Sequence, residues 1–171
     1  KFYNLNNNTA INHFKNLSRR LGYTKIVISA DHSGYKLKQQ AKKIFKQFKI
    51  SFVDVGTDRG DRSSNYSINV KKLIHLMKRK KYDYGFSFCR TGQGVNIAAN
   101  KYKNICSALV YDKYSAEHAV EHNGANHFAI PTYSVNKFKL KKIIQSIKNS
   151  SFDGGRHYER IKNFIWKWKK I

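Results

Sequence analysis

Residues 84–94, YGFSFCRTGQG, decide the fold of this chain. The aromatic run Tyr84–Cys89 predicts a β-strand, and the glycines after it mark a tight turn over residues 90–94. Beyond the turn, the apolar spacing of residues 95–101 predicts a helix. A strand that passes through a short turn into a helix is the repeating unit of parallel α/β proteins.

The same alternation continues on both sides of this stretch. Four further strands are predicted at residues 25–30, 50–55, 105–110 and 127–130. Helical spacing appears at residues 33–48, 67–80, 113–122, 136–147 and 158–170. Alternating strands and helices predict an α/β protein whose five-stranded parallel sheet is covered on both faces.

Length and charge limit the classes of protein to consider. The 171 residues fit one domain rather than two, and no apolar run approaches the ~20 residues needed to cross a bilayer. The 34 Lys and Arg against 10 Asp and Glu give a net charge of +24. Such an imbalance favours a polyanionic partner, and A/T-rich codons are the alternative explanation for part of it.

The basic residues lie in three clusters and an N-terminal arm. The clusters cover residues 36–49, residues 71–81 and residues 137–171, the last with eleven basic residues and two acids. Residues 1–24 form an acid-free arm, typical of an organellar transit remnant or of a plain basic extension. The predicted domain follows at 25–171.

The cysteine content predicts a reducing compartment. Cys89 and Cys106 form no CxxC motif, no disulfide framework and no metal-spaced cluster with histidine. With the acid-free arm and no unbroken apolar signal region, we expect a cytoplasmic or organellar location, in a mitochondrion or plastid, rather than secretion. No metal and no cofactor are expected.

Polar side chains follow the predicted strands where ligands bind in parallel sheets, beyond the strand carboxyl ends. Asp31 and His32 follow the first strand, and Cys89 opens the glycine turn after the third. We expect His122 and Asn123, one helix after the fourth strand, to reach the same crevice. Each has a structural alternative: Asp31 as a helix cap, Cys89 as an inert core thiol and His122 as a structural histidine.

Together these residues suit proton transfer next to a carbonyl. A helix N-terminus favours the thiolate of Cys89, and the turn amides can hold a developing oxyanion. A histidine can move a proton to open a sugar ring. Arg156 and Arg160, four residues apart on a helix, can grip a phosphate.

Four motifs carry a family resemblance: ISADHSGYKLK, FSFCRTGQGVNIAANK, YDKYSAEHAVEHNGANHFAI and FDGGRHYERI. Together they resemble the ribose-5-phosphate isomerase type B family, which also includes galactose-6-phosphate isomerase subunits, over residues 25–165. The resemblance implies a Rossmann-like three-layer sandwich and a homodimer or dimer of dimers with active sites at the dimer interface. It also implies metal-free interconversion of aldose and ketose phosphates through an enediolate.

The resemblance also assigns roles to individual residues. Cys89 matches the base that moves the proton between C1 and C2, and His122 matches the ring-opening histidine. The remaining matches are a turn that holds the anion, residues that contact the sugar, and arginines that grip the phosphate. These are Thr91, Gly92 and Gly94 in the turn, Asp31, His32, Tyr66, Asn100 and Asn123 near the sugar, and Arg156 and Arg160 at the phosphate.

Some positions depart from the family pattern. Arg90 stands where glycine usually follows the catalytic cysteine. Its guanidinium either crowds the sugar or restricts the backbone, or else points outward or aids phosphate binding. Residues 65–68 lack the two acids and the proline of the usual loop, and Tyr133 and Cys106 replace two common arginines.

Two functions follow from these observations. The first is an isomerase of sugar phosphates, with ribose 5-phosphate and ribulose 5-phosphate as the expected pair. The alternative is a family member recruited as a basic, non-catalytic RNA-associated subunit of a large assembly such as an organellar ribosome, since a fold does not fix a function.

Overall fold

The computed structural model describes residues 25–79 and 82–165, and the five-stranded parallel sheet predicted from the sequence is confirmed. The strands are β1 Ile26–Ala30, β2 Phe52–Asp54, β3 Tyr84–Cys89, β4 Ser107–Leu109 and β5 His127–Pro131. The helices within the described residues are α1 Tyr35–Gln47, α2 Tyr66–Lys78, α3 Gln93–Asn100, α4 Lys113–Glu121, α5 Lys137–Asn149 and α6 Gly155–Ile165. The predicted basic arm at residues 1–24, Lys80, Lys81 and residues 166–171 lie outside this part of the chain.

The sheet has the strand order β2-β1-β3-β5-β4, with β3 at its centre. β3 pairs in parallel with β1 and β5, so that Ala30 lies beside Phe88 and Cys89 beside Pro131. All residues of these three strands are buried. A strand buried on both faces reads as a nearly continuous apolar run, which is why the sequence identified β3 readily.

Helices cover both faces of the sheet and make three layers. One core cluster joins the sheet to α1, α4 and α5 through residues such as Ile44, Val120 and Ile143. A second core cluster on the other face joins it to α2 and α3 through Leu73 and Val95. The molecule is therefore a Rossmann-like three-layer sandwich, with the Cys89 turn opening onto the α2–α3 face.

A buried chain of polar side chains crosses the sheet, which the sequence analysis did not anticipate. Ser29 Oγ lies 2.9 Å from Ser87 Oγ, Ser87 Oγ lies 2.8 Å from His127 Nε2, and His127 Nδ1 lies 2.7 Å from Ser107 Oγ. Ser107 Oγ donates to Asn96 Oδ1 in α3. Because Ser107 donates to Asn96, its oxygen accepts from His127 Nδ1–H, and Nε2 accepts from Ser87. Burial lowers the pKa of His127 to about 3, which fits this neutral tautomer.

No helix in the described part of the chain is long and apolar enough to cross a membrane.

Candidate active site

The site is built around the turn that joins β3 to α3. β3 ends at Cys89, and Gly92 has a left-handed backbone with φ of 73° immediately before α3 begins. This geometry directs the Gly92 N–H at Cys89 Sγ, at 3.2 Å. A side chain at residue 92 would be strained by its positive φ, and its Cβ would overlap Leu109 Cδ1. The turn therefore requires glycine at this position.

Backbone amides surround the thiol, yet burial has the larger effect on its acidity. Burial raises the pKa of Cys89, and the negative charge of Asp31 raises it further. Hydrogen bonds from the amides of Val95, Gly92 and Thr91 oppose this and lower the pKa. The net pKa of Cys89 is raised because burial outweighs these amides, although the amides at the start of α3 act in the expected direction and lower it. Three amide donors nevertheless converge on the place where negative charge would develop.

Asp31 and Tyr66 approach this turn from neighbouring elements, and His32 follows Asp31 in the chain. Asp31 is buried at the end of β1, where its Oδ1 accepts from Ser33 Oγ at 2.7 Å and from the Gly34 amide at 2.8 Å. His32 is exposed, and its Nδ1 accepts from the Ser64 amide at 3.2 Å. The ring of Tyr66 lies against Gly94, so close that a Cβ added at Gly94 would be 2.8 Å from Tyr66 Cζ.

Thr91 and Arg90 line the open side of the turn. Thr91 is exposed, and its Oγ1 accepts from the Gln93 amide at 3.4 Å. Arg90 is exposed, and its carbonyl accepts from the amide of Tyr133 at 3.1 Å. The Arg90 side chain is therefore accessible to solvent beside the turn.

His122, Asn123, Arg156 and Arg160 form a second group. His122 caps the C-terminus of α4, and the carbonyl of Asn123 accepts from Cys106 Sγ at 3.5 Å, next to the start of β4. The rings of His122 and His157 stack with centroids 4.1 Å apart. Arg156 Nε donates to His157 Nε2 at 3.3 Å, which ties the start of α6 to this histidine.

The expectation that all these residues share one edge of the sheet is wrong for a single chain. Cys89 ends β3, whereas His122 and Asn123 lie where β4 begins, at the opposite edge. In a strand–helix–strand unit the helix returns antiparallel to the strands, so a residue after α4 lies about a strand length, roughly 17–20 Å, from the carboxyl edge. Asn100, at the end of α3, is also at the far edge: its Oδ1 and Nδ2 bond the backbone of Ser107, each at 2.9 Å, which clamps α3 to β4.

The second group contains two residues that sequence reasoning missed, Asp153 and His157. Ligand atoms of His122, Asp153 and His157 lie within 4.8 Å of one another, so a metal-spaced cluster that the sequence did not reveal does exist. The ring planes of His122 and His157 are only 11° from parallel, so their in-plane lone pairs do not converge on one ion. Burial, and then the neighbouring His122, Arg156 and Arg160, lower the pKa of His157, while the negative charge of Asp153 raises it. This surrounding charge suits an anion better than a cation. In the sequence, the sign that Asp153 and His157 could matter was their place in the tail motif at residues 152–161, which is shared with the family.

Comparison with known proteins places these features in one family. The family model described as Ribose/Galactose Isomerase matches residues 26–164. The ribose-5-phosphate isomerase B of Listeria innocua is 32% identical over 137 residues, 80% of this chain and 92% of the relative. A ribose 5-phosphate isomerase from Thermotoga maritima superposes with a TM-score of 0.79 at 33% identity, covering 82% of this chain and 97% of that one. The ribose-5-phosphate isomerase B of Mycoplasma genitalium, with bound ribulose 5-phosphate, gives 0.77 at 32% identity, covering 82% and 93%.

Proposed function

The chain belongs to the ribose/galactose isomerase family, and from that premise we propose that it interconverts ribose 5-phosphate and ribulose 5-phosphate. The observation that carries the proposal is the Cys89 turn, where a thiol and three backbone amides face the same small space. Relatives named as ribose-5-phosphate isomerases, at 32–33% identity over most of the chain, support the choice of substrate.

In the proposed reaction, the thiolate of Cys89 acts as the general base. It removes the proton from C2 of the open-chain aldose, and the electron pair of that C–H bond forms the C1–C2 double bond of an enediolate. The amides of the turn, with Thr91 beside them, stabilise the negative oxygen. Cys89 then returns its proton to C1, while a hydroxyl proton passes from O2 to O1, which leaves the ketose. Since the resting pKa of Cys89 is raised, turnover should increase with pH through the neutral range.

A second copy of the chain would complete the site. The Cys89 turn with Asp31, His32 and Tyr66 forms one half, and the second group at the opposite edge of the sheet forms the other. We assign ring opening to His122, contact with the sugar to Asn123, and the phosphate to Arg156 and Arg160, all acting on the substrate held by the partner's cysteine. In a two-fold dimer, each chain presents both halves, so two complete sites arise.

The direct test is isomerisation by the purified protein. Wild-type protein should convert ribose 5-phosphate to ribulose 5-phosphate, and Cys89→Ala should lower turnover by at least ~10²-fold, the usual contribution of a general base. Cys106→Ala is the matched control, since Cys106 lies beside Asn123 rather than in the turn. A wild-type protein without turnover on any pentose or hexose phosphate would refute the assignment.

A polyanion-binding role is the second candidate, and the surface charge favours it. The exposed lysines of α1, α2 and α5 have no acidic residue on the same helix. Phosphate contacts of this kind weaken steeply with salt. Co-sedimentation with ribosomal particles, lost as salt is raised, would support this role, and elution without RNA affinity at ~0.15 M salt would contradict it.

A further inference from the structure

The imidazole of His157 lies between two residues to which the proposed reaction gives different tasks, His122 and Arg156. The side chain of His157 is buried at the start of α6, with 7% of the residue exposed. The reaction proposed above does not use this histidine. Its ring nevertheless accepts a hydrogen bond from Arg156 and stacks on His122. A buried ring that contacts both groups is in a position to orient both.

The backbone fixes the place of this ring relative to α4. The Asp153 amide donates to the Glu121 carbonyl at 3.0 Å, which joins the chain before α6 to the last turn of α4. Gly154 and Gly155 follow with φ of 67° and 50°, left-handed values that favour glycine. The His157 amide then donates to the Gly154 carbonyl at 3.0 Å. The two glycines thus turn the chain so that His157 returns to the end of α4.

The hydrogen bond from Arg156 fixes the tautomer of His157. Arg156 Nε donates to His157 Nε2 at 3.3 Å, and a guanidinium has no acceptor, so Nε2 carries a lone pair. Burial is the largest of the causes that lower the pKa of His157, which fits a neutral ring. The proton of His157 is therefore on Nδ1, the minority form of a free histidine side chain in water. A proton on Nε2 would break the bond to Arg156.

The contact with His157 also fixes the ring plane of His122. The two ring centroids are 4.1 Å apart and their planes differ by 11°, so the rings lie face to face. The ring of His118 meets His122 edge-on, with centroids 4.3 Å apart and planes at 80°. Packing of this kind locks a side chain in one rotamer. The direction in which the nitrogens of His122 point is therefore set by these two neighbours.

We propose that His157 is a positioning residue, which holds the guanidinium of Arg156 toward the substrate phosphate and the ring of His122 toward the ring oxygen of the sugar. This inference rests on the proposed isomerase function, because it uses the tasks assigned there to Arg156 and His122. His157 itself makes and breaks no bond of the substrate. Arg156 is exposed, and a long exposed side chain loses conformational freedom when it binds a ligand, so a bond that orders it beforehand raises affinity.

The tautomer of His157 can be measured without turnover. Long-range ¹H–¹⁵N NMR spectra of the full ¹⁵N-labelled chain at neutral pH should show a protonated Nδ1 and an unprotonated Nε2 for this residue. Arg156→Leu removes the donor, so the population with a protonated Nε2 should rise in that variant. A wild-type His157 with its proton on Nε2 would overturn the proposal.

Two substitutions at residue 157 separate the two contacts. His157→Phe keeps a flat ring on His122 and removes the acceptor for Arg156. The KM for ribose 5-phosphate should therefore rise ~10-fold, as for loss of a hydrogen bond to a charged group, while kcat changes less than ~2-fold. His157→Gln keeps an acceptor and removes the ring. Its kcat for ribose 5-phosphate should fall ~10-fold, because the ring of His122 is displaced, while KM changes less than ~2-fold.

The direction of the reaction gives a readout that general damage to the fold would not produce. Ribulose 5-phosphate has no free hydroxyl that could close a five-membered ring on its ketone, so the reverse reaction starts from an open chain. His157→Gln should therefore slow the initial conversion of ribose 5-phosphate but leave that of ribulose 5-phosphate within ~2-fold of wild type. Equal slowing in both directions would overturn the assignment of His157 to the orientation of His122.

Two controls complete the experiment. His75→Phe and His75→Gln make the same changes at an exposed histidine of α2 and should leave KM and kcat within ~2-fold of wild type. In an Arg156→Leu background, His157→Phe should raise KM no further, since the contact that it removes is already absent. A further rise would overturn the assignment of His157 to Arg156. Wild-type protein without turnover would refute the proposed function and this role with it, whereas the other adverse results leave the isomerase assignment intact.

Discussion

Replacing Gly92 by alanine tests whether the turn geometry holds the thiol. The left-handed φ of 73° costs a non-glycine residue about 1–2 kcal/mol. The added Cβ also overlaps Leu109 Cδ1, and relief of such overpacking costs a further ~1–3 kcal/mol. We therefore expect Gly92→Ala to lower the free energy of unfolding by about 3 kcal/mol in total.

Gly154→Ala is the matched control for backbone strain. Its φ of 67° is nearly the same, but nothing lies within 4 Å of the position its Cβ would take, so it should cost only the backbone strain of about 1–2 kcal/mol. Urea unfolding of both variants, followed by circular dichroism, gives the difference. Measured in a Leu109→Ala background, Gly92→Ala should cost less than it does in the wild type, because the overlapping atom is absent. Equal costs for Gly92→Ala and Gly154→Ala would refute the proposed close contact at Leu109.

Gly92→Ala should also lower turnover, by up to ~10²-fold, since a displacement of about 1 Å at a reacting group has an effect of this size. Asp31→Asn, made in a Cys106→Ala background, should lower the pKa of Cys89, because it removes a negative charge that raises this pKa. Iodoacetamide should then alkylate Cys89 faster at neutral pH. A slower alkylation would contradict this prediction. His127 should lower the stability of the folded chain as the pH falls. The folded chain keeps His127 neutral down to about pH 3, whereas the unfolded chain protonates it below about pH 6.5. The free energy of unfolding of the wild type should therefore fall by about 1.4 kcal/mol per pH unit below about pH 6.5 from this group alone. In His127→Leu, the free energy of unfolding measured with urea should depend on pH less steeply by that amount. Parallel curves for the two proteins would contradict this prediction.

The strands and the Cys89 turn could be predicted because their signals are local. β3 is marked by its aromatic run and the turn by its glycines, and the bounds of Tyr84–Cys89 agree with the structure. Shorter strands were predicted too long, since β2 and β4 have three residues each and their flanks read as equally apolar.

The site was harder to predict because its features depend on the path of the chain in space. His122 was expected beside Cys89, but α4 carries it back to the other edge of the sheet. The raised pKa of Cys89 follows from its burial, which no motif encodes. The stacking of His122 on His157 arises from a tertiary contact between residues far apart in sequence.

We propose that the thiol and the histidine of one active site come from different chains. Cys89→Ala and His122→Ala proteins should each be nearly inactive alone, and denaturing and refolding them together in equal amounts should restore activity. Random pairing makes half of the dimers mixed, each with one intact site of two, so about a quarter of wild-type activity is expected for a two-fold dimer. Mixed dimers that form but remain inactive would contradict the claim.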